Sequence, residues 1–73
     1  MPPEPLAYRE VKRRLQRAGF REVAQEGSHV KFAKESGGGL RTAIVPQHRE
    51  VTTGTIRSIL RQAGITPEEW EAL

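Results

Sequence analysis

Apolar residues recur at helical spacing near each end of the chain. The first stripe consists of Ala7, Val11, Leu15 and Ala18, with Tyr8 beside it. Spacings of three and four residues predict one buried face of an α-helix, and Pro5 suits the first helical turn. Gly19 followed by Phe20 is typical of a left-handed helix end with an apolar contact. We therefore predict a first helix at about residues 5–18.

The second stripe lies in the last third of the chain and consists of Ile56, Ile59, Leu60 and Ala63. Thr53 is a candidate cap at the start of this helix, and Gly64 marks its end. A short terminal helix is predicted directly afterwards, because Thr66 can cap it with Pro67 at its first position and Glu69 completing a capping box. Ile65 and Trp70 are spaced to form the hydrophobic staple of that helix.

The middle of the chain predicts three short strands, at about residues 21–26, 29–34 and 40–45. Gly27 and Ser28 lie between the first two strands and predict a two-residue hairpin turn with glycine at its first central position. The segment 35–39 contains three glycines and predicts a flexible hairpin loop. After the third strand, residues 46–52 form a polar loop that contains His48.

The two-residue turn fixes which residues pair across the first hairpin. Glu26 and His29 flank the turn on one face of the sheet, followed on that face by the pairs Ala24–Lys31 and Glu22–Ala33. The other face carries the pairs Val23–Phe32 and Gln25–Val30. Because each long helix has one apolar stripe, both must cover that second face. The expected fold is an α+β, two-layer α-β-β-β-α domain with a short C-terminal helix, which leaves the His29 face open.

The length of 73 residues is that of one small domain, which we expect to span residues 1–73 with an extended lead-in at 1–4. There is no cysteine, which excludes disulfides, thiolate nucleophiles and zinc ribbons. With two histidines and no cysteine, we expect no metal and no cofactor. The sequence has no apolar run of membrane-spanning length and no signal-peptide pattern at its start, so we expect no membrane partner and a cytoplasmic location.

The charges are distributed unevenly along the chain. Residues 1–34 hold eight Lys/Arg and four Glu, and residues 35–73 hold four Arg and five Glu, which together give the net charge of +3. A basic first half suggests a polyanionic partner, although an ordinary solvated surface would produce the same bias. The cations that we expect near phosphates are Lys12, Arg13, Lys31, Lys34 and Arg57.

His29 is the candidate for chemistry, because a histidine can take or give a proton at neutral pH. Cleavage of RNA needs little more, since the 2′-hydroxyl of RNA is itself the nucleophile. Lys31, two residues further on the same face, could stabilise charge at the phosphate. Ser28 is better explained as a turn former than as a nucleophile. His48 is better explained as a loop residue or ligand contact than as a second base.

Four blocks of the chain resemble the HicA family of bacterial toxins. They are Leu15–Phe20, Gly27–Phe32, Val45–His48 and Gly54–Ile65. The resemblance covers almost the whole chain from about residue 6. It implies a fold like that of double-stranded-RNA-binding domains and the activity of an mRNA interferase, the toxin of a type II toxin–antitoxin system. It also implies that His29 is the catalytic residue, without a metal, and that a HicB-like antitoxin is the partner. From the hairpin geometry, we expect Glu26, Gly27 and Ser28 to shape the site around His29.

Three functions remain open at this point. The first is a ribonuclease toxin acting on mRNA. The second is a non-catalytic RNA-binding module of the same fold, in which His29 only contacts a phosphate. The third is a protein whose main interaction is with another protein. Cleavage products distinguish the first two, and salt dependence distinguishes RNA binding from the third.

Overall fold

A three-stranded antiparallel sheet and two longer helices form most of the molecule, whose computed structural model describes residues 3–73. In chain order the elements are β1 (Leu6–Ala7), α1 (Tyr8–Arg17), β2 (Arg21–Glu26), β3 (His29–Ser36), β4 (Gly39–Pro46), β5 (Glu50–Val51), α2 (Thr53–Ala63) and α3 (Pro67–Glu71). The predicted α-β-β-β-α layout with a short final helix is confirmed. The first two residues of the predicted lead-in lie outside the described residues.

The core lies between one face of the sheet β2-β3-β4 and the apolar sides of the helices. β3 is its central strand and is paired on both sides, with Val30 opposite Val45 and Phe32 opposite Ala43. These four side chains are buried together with both predicted helical stripes, apart from Ala7 and the partly buried Ala18. The other face carries the exposed His29 and Lys31 near the turn, and further along β3 on that face Ala33 is buried.

The start of α1 differs from the prediction. The helix begins at Tyr8, because Leu6 and Ala7 instead pair with Val51 and Glu50 in a second, two-stranded sheet. Pro5 therefore precedes a strand, and Ala7 is exposed outside the helix. Val51, expected in a polar loop, is buried in the core. A strand of two residues carries no periodic signal, so the sequence pattern could not reveal it.

A β-bulge in β2 changes the predicted pairing of the first hairpin. Near the turn the prediction is confirmed, but Glu22 rather than Val23 lies opposite Phe32, and Arg21 lies opposite Ala33. The extra residue at the bulge is Val23, whose exposed fraction is 45%. Glu22 forms an ion pair with Lys12 of α1, with 3.1 Å between the Lys12 Nζ and the carboxylate. The prediction that Val23 belongs to the core was wrong.

Two local boundaries also differ. The expected flexible loop at 35–39 is a tight turn of Gly37 and Gly38, whose φ angles of 57° and 81° only glycine adopts readily. Two consecutive left-handed residues match the twist of the flanking strands, so the hairpin continues almost to its tip. The cap of α2 is Thr52 rather than Thr53, and its side chain accepts a hydrogen bond from the Thr55 N–H.

The short helix α3 is fastened to α1. Its predicted capping box is present, and the backbone N–H of Thr66 donates to the Glu69 carboxylate, which lowers the pKa of Glu69. Trp70 is fully buried, and the Arg14 guanidinium lies 5.2 Å from the centre of its ring. Arg13 and Arg14 both donate to Glu10, and these hydrogen bonds lower the pKa of Glu10 to about 2.

Within residues 3–73, no helix is long and apolar enough to cross a membrane.

Candidate functional site

The hairpin turn between β2 and β3 places His29 on the open face of the sheet. Gly27 has a φ of 60°, as the first central residue of the predicted two-residue turn requires, and Glu26 lies directly opposite His29. On its other side His29 is paired with Pro46 of β4. The next residue, Val30, is fully buried, so alternation along β3 directs His29 away from the core. The predicted position of His29 relative to the turn is confirmed.

A shallow depression surrounds His29 on this face. Its lining residues are Ala24, Gln25, Glu26, His29, Lys31 and Ile44. Lys31 is the next residue of β3 on the same face as His29, and it is paired with Ala24 of β2 on one side and Ile44 of β4 on the other. Among residues 3–73, neither His29 nor Lys31 makes an ion pair or a side-chain hydrogen bond. An exposed imidazole and an exposed ammonium group are therefore both available to a ligand lying across the strands.

The turn beside His29 is tied to the segment that follows β4. The backbone N–H of Gln47 donates to the Ser28 carbonyl oxygen at 2.6 Å. The side-chain amide of Gln25 donates to the Gly27 carbonyl oxygen at 3.1 Å and to the Gln47 side-chain oxygen at 2.9 Å. These contacts bring the loop that carries His48 to the edge of the site. Sequence reasoning did not single out either glutamine.

The five predicted phosphate-binding cations differ in their surroundings. Lys12 is paired with Glu22, and Arg13 is paired with Glu10 and also donates to the Leu73 carbonyl oxygen. Lys34 lies on the helix side of β3, half-buried, where its Nζ donates to the Ala18 carbonyl oxygen at 2.7 Å. Within the part of the chain that the structure describes, Lys31 and Arg57 are exposed and form no ion pair.

Apolar side chains are also exposed around the open face. Leu40 and Ile44 alternate along β4 with the buried Ala43 and Val45, so both point away from the core. Val23, at the bulge of β2, is exposed as well, at a position that the regular alternation of β2 does not assign to the open face. These three residues are the large hydrophobic side chains that residues 3–73 expose. The open side of the sheet thus combines a histidine and a lysine with apolar surface.

A metal centre finds no support in the arrangement of side chains. Within residues 3–73, no group of three or more His, Asp or Glu side chains lies close enough together to hold a metal ion. The two histidines lie on different segments, His29 on β3 and His48 in the loop after β4. The expectation that the protein uses no metal stays a prediction, which chelation tests directly.

The chain matches the model of a known protein family. A family model described as the HicA toxin of bacterial toxin–antitoxin systems matches residues 8–65. The match runs from the start of α1 to the residue before the cap of α3, and it includes the turn at 27–29 and the segment 45–48. A search of curated proteins found no match.

Proposed function

We propose that this chain, which belongs to the HicA family of bacterial toxins, is a metal-independent endoribonuclease that cleaves mRNA with His29 as its single general acid–base. The observation that carries the proposal is the exposed, unpaired imidazole of His29 beside Lys31 on the open face of the sheet. An mRNA substrate and a cytoplasmic location follow from this proposal. The family supports the role of a toxin with a HicB-type antitoxin as its partner.

The chemistry needs only the groups that this face offers. Neutral His29 takes the proton of a ribose 2′-hydroxyl, and the resulting oxygen attacks the adjacent phosphorus. The bond from phosphorus to the 5′-oxygen breaks, which leaves a 2′,3′-cyclic phosphate and, after proton transfer to the leaving oxygen, a 5′-hydroxyl. Lys31 stabilises the charge that develops on the phosphate oxygens. The nucleophile belongs to the substrate, so no metal-bound water is required.

The alternative is an RNA-binding module in which His29 contacts a phosphate without transferring a proton. The two functions differ in their products, because only cleavage creates new 2′,3′-cyclic phosphate or 3′-phosphate ends. The test is single-turnover cleavage of a defined RNA in EDTA, comparing wild type with His29→Ala and analysing the ends. Intact RNA bound by a folded wild-type protein would favour the binding module.

RNA binding should weaken steeply with salt and, among the five predicted cations, should depend most on Lys31 and Arg57, which are exposed and form no ion pair within residues 3–73. We expect Lys31→Gln and Arg57→Gln each to reduce the dependence of affinity on salt by about one phosphate contact, whatever the RNA sequence. Lys12→Gln, Arg13→Gln and Lys34→Gln should have smaller effects, since those groups already bind protein acceptors. Titrations of one RNA at several salt concentrations measure this, and affinity that is independent of salt would contradict it.

We also propose that the HicB-type antitoxin inhibits by covering the open face of the sheet. Exposed Leu40 and Ile44 offer apolar contact area, and Lys31 offers a cation for an acidic group. Leu40→Asp should weaken the complex at least about tenfold, because a carboxylate would lose its hydration against an apolar partner. The variant should cleave free RNA at the wild-type rate, since Leu40 does not line the depression around His29.

Binding measured with purified antitoxin and RNA tests this arrangement. The antitoxin and RNA should exclude each other, and Leu40→Ala should weaken the complex less than Leu40→Asp does. A ternary complex that still cleaves RNA would show that the antitoxin binds elsewhere.

A further inference from the structure

We propose that Gln25 is a positioning residue for His29, which it holds in place by tying the 27–28 turn to Gln47. The inference rests on the proposed function, because a positioning residue matters only if His29 performs chemistry. Gln25 acts on His29 through the backbone of the turn and not by touching the reacting atoms. Its side chain is the one group among residues 3–73 that bonds both the turn and the segment after β4.

The need for such a tie follows from where His29 lies. β2 is an edge strand whose six residues are all exposed, and the bulge interrupts its pairing with β3. His29 is the first residue of β3, next to a two-residue turn that contains Gly27. Exposed hairpin ends with few buried contacts open at low free-energy cost. His29 therefore lies at the end of its strand, where its partner on one side is the exposed edge strand β2 and its partner on the other is Pro46, the last residue of β4.

Gln25 and Gln47 connect the turn at residues 27–28 to the end of β4. One amide group of Gln25 bonds the Gly27 carbonyl oxygen and the Gln47 side-chain oxygen, and the Gln47 backbone N–H bonds the Ser28 carbonyl oxygen. Gln47 follows Pro46, which ends β4, and β4 is itself anchored by the buried Ala43 and Val45. The Ser28 carbonyl oxygen thereby acquires a partner outside the hairpin, and the Gly27 carbonyl oxygen is joined to Gln47 through the Gln25 side chain.

Fixing the turn matters for catalysis because the imidazole must meet a proton on a bound ribose. Loss of alignment by about 1 Å can reduce a rate by about a hundredfold, and a looser turn samples such positions more often. We expect loss of the Gln25 hydrogen bonds to lower the rate of cleavage within the RNA complex by about tenfold. RNA affinity should change little beyond the effect of any added charge, because the Gln25 amide is uncharged and Lys31, which lines the same depression, stays in place.

A matched pair of variants tests the proposal. Gln25→Glu has the same shape, but its carboxylate cannot donate to the Gly27 carbonyl oxygen, so the side chain no longer joins the turn to Gln47 even where the Gln47 amide donates to the new carboxylate. Gln47→Glu adds the same negative charge at the same place, yet its carboxylate still accepts from the Gln25 amide. Single-turnover rates at saturating RNA should be about tenfold lower for Gln25→Glu than for Gln47→Glu. RNA affinities of the two variants should be equal.

Hydrogen exchange of the RNA-free protein supplies a readout that does not depend on catalysis. Backbone amides of residues 27–29 should exchange faster in Gln25→Glu than in Gln47→Glu, while amides of α2 exchange alike. Equal cleavage rates in the two variants would overturn the proposal, and so would a slower Gln25→Glu with unchanged exchange. If His29→Ala cleaves as fast as wild type, the proposed function fails, and the exchange comparison still decides whether Gln25 holds the turn.

Discussion

Replacing His29 with alanine is expected to lower the rate of RNA cleavage by about 10²–10⁴-fold, the usual contribution of one general acid–base group. The imidazole is the proton-transfer group that the open face presents beside Lys31, and the 2′-hydroxyl must lose its proton as it attacks phosphorus. The measurement is single-turnover cleavage of a defined RNA by wild type and variant in EDTA. Chelation should leave the wild-type rate intact, because the proposed steps use no metal ion.

A second histidine provides the control for this experiment. His48→Ala removes the same exposed imidazole from the neighbouring loop, and its effect on the rate should be small beside that of His29→Ala. The free energy of unfolding of both variants should lie within about 0.5 kcal/mol of the wild-type value, since neither side chain is buried. Equal rates for wild type and His29→Ala would remove His29 from the chemistry and favour the binding module.

The position of His29 could be predicted because it depends on local geometry. A two-residue turn with glycine at its first central position fixes the register of the adjacent pairs, and the alternation of buried Val30 and Phe32 then fixes the face. The presence of the helices was also predictable, because the two apolar stripes and the capping box of α3 are strong local signals, although the start of α1 and the cap of α2 differ from the prediction. His29, its turn and its exposure all followed from residues within a few positions of each other.

The features that the sequence did not reveal depend on contacts between distant segments. The pairing of Leu6 with Val51 joins residues from opposite ends of the chain and involves only two residues in each strand. The bond between Gln25 and Gln47 joins β2 to the segment after β4, and two isolated glutamines form no pattern. The bulge at Val23 shifts the register without any glycine or proline to mark it. Each of these required the assembled fold.

The surroundings of the predicted cations follow the same division. An exposed position in a sequence pattern says nothing about whether an acidic group from another element reaches it. Glu22 of β2 pairs with Lys12 of α1, and the end of α1 accepts a hydrogen bond from Lys34 of β3. Charge along the sequence therefore indicates a basic protein, whereas the assembled fold distinguishes free cations from those already bound.

Replacing Phe32 with alanine should destabilise the fold by about 3–5 kcal/mol, because the change removes a buried aromatic ring and leaves a cavity. Phe32 is fully buried on the central strand, opposite Glu22 and Ala43. Native proteins have a stability of only about 5–15 kcal/mol, and small domains lie at the low end of that range, so the loss is a large fraction of the whole. Denaturant unfolding monitored by circular dichroism measures it. Phe32→Leu, which keeps most of the volume, should give a smaller loss that stays measurable if Phe32→Ala does not fold.

Val23→Ala is the control that separates the predicted hairpin from the observed one. The simple pairing put Val23 in the core opposite Phe32, where truncation would cost a large part of what Phe32→Ala costs. The bulge instead leaves its side chain 45% exposed, so we expect a change of about 0.5 kcal/mol. A loss for Val23→Ala comparable to that for Phe32→Ala would place Val23 in the core and contradict the bulge. The bulge lies between the pairs Ala24–Lys31 and Glu22–Phe32. That outcome would therefore change which face the residues of β2 before Ala24 point to, while the pairing next to His29 would stay the same.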